Sequence, residues 1–226
     1  MRRQLLIVDR LTDFSKLRRV TPYRPDFGWP RGKCVDRYYI ESFLHEHAGD
    51  IHGRVLEVGE SLYTRQFGGS RVQQSDVVDV VATPSATITA DLAKAPSIPD
   101  GVFDCIICTQ TLMYVYDFVG AIQTLRRILK PGGVLLATFP GISQIPPASM
   151  IGAGQDYWRF TRFSAQRMFS DVFEAANVEV KSYGNVLTAT ALLHGLVTAE
   201  LTVGEFEYHD DAYEVIVAIR AVKSCQ

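Results

Sequence analysis

From residue 54 onward the chain alternates short apolar runs with segments of helical period, and this constrains its fold more than any other feature. "RVLEVG" (54–59) is an apolar run ended by glycine, the pattern of a strand buried on both faces. "RVQQSDVVDVV", "ATITADL", "FDCIICTQTL" and "GVLLATFPG" predict the second to fifth strands. Before the fifth, Phe118, Ile122, Leu125 and Leu129 keep helical spacing, and "KPGG" reads as the helix stop. Further on, "SAQRMFSDVF" and "TATALLHGLVTAE" predict helices, and "VEVKSYGN" and "YEVIVAIRAVK" strands. Strands and helices alternating through short connections make an α/β domain with a mostly parallel sheet covered on both faces. Ligands in such sheets sit beyond the carboxyl ends of the strands, where strand order reverses.

Upstream, Tyr39, Phe43 and His47 recur every four residues, as do Ile40 and Leu44, which predicts a helix from Asp36 to before Gly49. "TPYRPDFGWPRG" carries three prolines and two glycines, so it reads as an extended linker or lid. The expected organisation is an N-terminal extension or lid at 1–33 and a single domain at 34–226. The apolar run at residues 5–8 is too short for a signal core. No stretch approaches the ~18 apolar residues of a membrane span, and the cytoplasm is the expected location, with no membrane partner. A net charge of -2 gives no general attraction to nucleic acid.

Cys105 and Cys108 form a C-x-x-C within a strand-like segment. Side chains three apart on a strand point to opposite faces, so buried core thiols are expected rather than a redox pair. The histidines have no partner at metal spacing, so no metal site is expected.

The strand ends carry a pattern. Glu57-Val58-Gly59 follows the first strand, Asp76 and Asp79 end the second, Asp91-Leu92 follows the third, and Thr109-Gln110 the fourth. An acid ending the second strand can take both hydroxyls of a ribose, since an ionised carboxylate only accepts. Asp91 can accept from an adenine amine or cap a short helix. Gly59 lets a ligand approach the backbone. A pyrophosphate wants several close glycines opening onto a helix. "GESLYTRQFGG" offers one at that place, with the charge of Glu60 beside it. A nicotinamide-dependent oxidoreductase would keep the sheet but needs the phosphate turn absent here. A phosphate-free adenosine ligand with a positive centre fits better.

Residues 52–140 resemble the class I S-adenosylmethionine-dependent methyltransferases, carried by "RVLEVG", "ITADLAKAPSIPDGVFDCIICTQTLMYV" and "LRRILKPGGVLLATFPG". "DYWRFTRFSAQRMF" looks like a variant found among methyltransferases encoded near glycan-modifying enzymes. The resemblance implies a Rossmann-like methyltransferase fold: seven strands, mostly parallel, with an antiparallel closing strand. It implies S-adenosyl-L-methionine as cofactor and S-adenosyl-L-homocysteine as product. Glu57 and Gly59 would line the methionine and ribose end. Asp76, in V-x-x-x-D spacing, would take the ribose, with Asp79 the alternative if the strand runs longer. Asp91 and Leu92 would recognise adenine, and Thr109 and Gln110 would lie beneath the methyl. The family turn G-x-G-x-G is here Gly59-Glu60-Ser61-Leu62-Tyr63, and the helix after it shrinks to about "YTRQF". Glu60, Ser61 and Tyr63 therefore join the cofactor-binding candidates.

Tyr157, Trp158 and Arg159 follow a long loop that should lie over the strand ends. They are substrate-binding candidates, since aromatic rings stack on sugars and arginine clamps anions. Asp156 and His194 are the candidate general bases, although His194, in an apolar helix, also reads as a core histidine. The expected reaction is methyl transfer to a small-molecule or glycan acceptor, with oxygen as the acceptor atom. The other reading is a methyltransferase-like scaffold that has lost catalysis. A homodimer, or fusion to a neighbouring domain, is compatible with the N-terminal extension.

Overall fold

The structure, a computed structural model, describes residues 18–151 and 155–225. The apolar run at 5–8 lies outside them, as does part of the loop ahead of "DYWRFT". Seven strands form one sheet in the order β3-β2-β1-β4-β5-β7-β6: β1 (Gly53–Val58), β2 (Val72–Asp79), β3 (Ile88–Thr89), β4 (Phe103–Thr109), β5 (Leu129–Pro140), β6 (Val178–Tyr183) and β7 (Ile216–Val222). The first five run parallel, and β7 is antiparallel to both β5 and β6. This is the Rossmann-like methyltransferase sheet expected.

Each strand alternates its side chains between two apolar cores. Leu56, Ile106, Cys108 and Phe139 pack under helices α2 (Phe118–Ile128) and α4 (Arg162–Phe173). Val55, Cys105, Ile107 and Leu136 pack under α1 (Val35–Glu46) and α5 (Val186–His194). A short helix α3 (Ala148–Ile151) lies in the loop after β5, and α6 (Val203–Glu207) adds Phe206 to the second core. Cys105 and Cys108 thus face opposite sides as free buried thiols, and burial pushes the Cys108 thiol up to about 12.

Local chemistry shifts several element ends from their expected places. α4 starts at Arg162, because the Thr161 and Ser164 side chains each bond the other's backbone N–H. Asn185 caps α5 in the same way, so the helix starts at Val186, two residues before the expected start. That helix stops at Gly195, which is left-handed at φ +70°, and does not continue to Glu200. A Cβ on Gly195 would lie 2.1 Å from the Arg24 carbonyl, so the N-terminal segment docks only on glycine. "KPGG" is not the helix stop. α2 ends at Ile128, Leu129 already pairs with Phe103, and the pairing then shifts register before resuming at Cys105 and Val134. The glycines serve that bulge, with Gly132 at φ +76°.

Candidate active site

Strand order reverses between β1 and β4, so Gly59 and Gln110 flank the switch point. Gly59 leaves β1 at φ +87°, and a Cβ built on it meets nothing within 4 Å. Opposite, Gln110 holds φ +48°, a conformation that costs a non-glycine residue about 1–3 kcal/mol. Its amide bonds the Thr138 carbonyl at 2.9 Å, which keeps it there.

A cleft of 1130 Å³ opens over these residues. It continues, past Val58, Gly59, Asp79, Gln110 and Tyr114, into a second compartment of 600 Å³ that reaches Asp91 and Leu92. A third, smaller compartment of 170 Å³ branches off at Gln110, Tyr114 and Arg37.

Glu57 shapes the turn. It is 3% exposed. One oxygen accepts from the Tyr63 amide at 3.0 Å, and the other from the Thr64 amide and hydroxyl, each at 2.7 Å. These bonds fasten the start of a single π-helical turn, Thr64–Gly68, which replaces a full first helix. Burial pushes the Glu57 carboxyl upward, against the pull of its bonds to Thr64 and Tyr63.

The structure brings most of the other candidates together. Glu60, Tyr63, Asp79, Thr109 and Gln110 line the main cleft with Gly59. Tyr63 also accepts a bond from Arg37 at 3.0 Å. Asp91 lines the second compartment with Leu92, and it also accepts the Ala93 amide at 2.9 Å, so it caps a turn as well. Tyr157 lines that compartment, 43% exposed.

Others lie elsewhere. Asp76 is in mid-strand, opposite Leu56, buried and bonded to Arg54 at 2.7 Å. It lines none of the three compartments, because β2 runs on to Asp79. Ser61 is also outside them, its hydroxyl accepting from Arg65. Trp158 packs on Phe118 at 5.0 Å and donates to the Val115 carbonyl, so it belongs to the core. His194 packs at a tilt against Tyr23 at the end of α5, away from the cleft. Asp156 and Arg159 do line the third compartment, but Arg159 holds both Asp156 oxygens, at 2.5 and 2.8 Å.

Sequence reasoning missed the wall contributed by α1 and the segment before it: Trp29, Lys33, Arg37 and Glu41. The available signal was spacing. Arg37 and Glu41 are four apart, hence on one face, and that face is polar beside the buried Tyr39 and Phe43.

A family model described as "Methyltransferase domain" matches residues 41–137. No curated protein matches the sequence. Among solved structures, an S-adenosylmethionine-dependent methyltransferase from Archaeoglobus fulgidus aligns with a TM-score of 0.53 at 11% identity, covering 83% of this chain and 94% of that one. The N-methyltransferase NodS of Bradyrhizobium japonicum, in complex with S-adenosyl-L-homocysteine, gives 0.50 at 14%, covering 84% and 88%. The [4+2]-cyclase SpnF gives 0.51 at 16%, covering 84% and 82%. At these identities the likeness is one of fold. The matched segment contains Gly59, Asp79, Asp91 and Gln110, the strand-end residues that line the first two compartments, so residues 41–137 resemble a methyltransferase domain and the chain has the fold of these methyltransferases.

Proposed function

We propose that the protein transfers a methyl group from S-adenosylmethionine to a small-molecule or glycan acceptor, at oxygen. The observation that carries the cofactor reading is the occupied turn. In a dinucleotide site, free amides at the start of the first helix would meet the phosphates. Here Glu57 already takes the amides of Tyr63 and Thr64, and the exposed Glu60 adds repulsion. A phosphate is refused where a sulfonium and an amino group are attracted. Asp79 then suits the ribose hydroxyls, and Asp91 with Leu92 the adenine. NodS, of like fold, is seen with S-adenosyl-L-homocysteine. When bound, the cofactor supplies an electrophilic methyl carbon. The protein aligns the acceptor and excludes water.

In this reading residues 1–33 act as a lid. Trp29, Pro30 and Lys33 already reach the cleft, and the segment is tied down by Arg24 to the His194 carbonyl at 3.1 Å and by Arg31 to Glu200 at 2.5 Å. Arg159 is the acceptor-side contact retained from "DYWRFT", while Tyr157 stands beside the compartment assigned to adenine. The open Gly59 and the lined cleft give no support to a scaffold that has lost its ligand.

Calorimetric titration with S-adenosylmethionine and S-adenosylhomocysteine tests the proposal: micromolar binding is expected, and none by folded protein would sink it. The two β2 acids separate in the same assay. Asp79→Asn is expected to weaken binding about tenfold or more, a cost of ~1.4 kcal/mol or above. Asp76→Asn is expected to lower stability by about 1–3 kcal/mol through its bond to Arg54, with binding unchanged. The reverse outcome would return the ribose to Asp76.

A further inference from the structure

The third compartment is lined by an acid with one unpartnered oxygen. Asp36 stands in the first turn of α1, where acidic residues are common because they face the positive end of the helix dipole. Such residues are ordinarily solvated or cap the helix. Asp36 Oδ1 is instead buried and, among the described residues, has no hydrogen-bond partner. Arg37 beside it donates to Tyr63, and Arg159 is taken by Asp156. The small compartment that Asp36 lines meets the main cleft at Gln110 and Tyr114. A buried acceptor without a donor costs on the order of 1–3 kcal/mol.

Resting on the function proposed above, we infer that Asp36 is the general base that receives the proton of a hydroxyl acceptor held in this compartment. The acceptor O–H proton passes to the Asp36 carboxylate. A lone pair of that oxygen forms the new bond to the methyl carbon as the carbon–sulfur bond breaks, its electron pair remaining on sulfur. Burial raises the affinity of the Asp36 carboxyl for that proton, against the opposing charge of Arg37. Trp29, Phe27 and Met113 give the wall an apolar side beside the polar Gln110, Ser143 and Gln144, suiting an amphipathic ring acceptor such as a phenol.

The test measures S-adenosylhomocysteine formation with a panel of substituted phenols of graded acidity, in wild type, Asp36→Asn and Asp36→Glu. Binding of S-adenosylhomocysteine is followed by calorimetry as a check on fold. Asp36→Asn is expected to bind it like wild type and to lose about a hundredfold or more in kcat on weakly acidic phenols. It should lose far less on phenols already ionised, and Asp36→Glu should recover part of the loss. Equal losses across the panel, turnover within about threefold of wild type, or methylation of amines but no phenol would overturn the assignment. So would a wild type that binds S-adenosylhomocysteine yet methylates no member of the panel. A wild type that binds no cofactor fails the proposed function itself, a distinct result.

Discussion

Gly59→Leu is expected to abolish cofactor binding, with at least a hundredfold loss of affinity for S-adenosylhomocysteine. Gly59 sits at φ +87°, so any L side chain there is strained, by about 1–3 kcal/mol. Yet a Cβ at this position meets no protein atom within 4 Å. The glycine is therefore not demanded by packing, and the space it leaves is the cleft itself. Leucine would project into the volume between β1 and β4 where the ligand passes. Gly59→Ala carries the same backbone strain with little bulk and serves as the control. Both variants should unfold a few degrees early, since 1 kcal/mol shifts Tm by about 2–4 °C in a domain of this size, but only leucine should eliminate binding. A Gly59→Leu protein that binds within about threefold of wild type would place the cofactor elsewhere.

The layered sheet was legible in the sequence because each strand is a local event. "RVLEVG" and "FDCIICTQ" are buried on both faces, and nothing outside those residues is needed to see it. The turn after β1 was also legible, down to the shortened helix near "YTRQF". Side-chain partners across the sheet were not. Asp76 and Arg54 are 22 residues apart and meet only because β1 and β2 pair in one register. Counting from Val72 placed Asp76 at a strand end, whereas β2 continues three residues to Asp79. The contact of His194 with Tyr23 likewise comes only from the fold, whereas Arg159 pairs with Asp156 three residues away in its own segment. Asp36 was read only as a helix start, since a local pattern cannot show that a carboxyl oxygen has no donor.

Glu57→Ala should produce the largest loss of stability. The Glu57 carboxylate accepts from the Tyr63 and Thr64 side of the turn through three bonds of 2.7–3.0 Å. Removing it leaves two backbone donors unpaired in a buried place, at about 1–3 kcal/mol each. Relief of the buried charge offsets part of this cost, so a net loss of roughly 2–4 kcal/mol is expected by denaturant unfolding. Glu57→Gln keeps one acceptor but turns an amide N–H₂ toward a backbone N–H, so it should also destabilise.

The two carboxyl states add a pH signature. Because burial holds the folded carboxyl above its ordinary value of 4.5, folding favours the protonated form. Glu57 therefore contributes most below that value, and its contribution declines as pH rises through the higher folded value. The stability difference between wild type and Glu57→Gln should shrink over that interval. A difference that grows with pH would mean that the bonds from Thr64 and Tyr63 outweigh burial. The turn would then be held by an ionised acid, and the cleft would carry one more full negative charge toward its ligand.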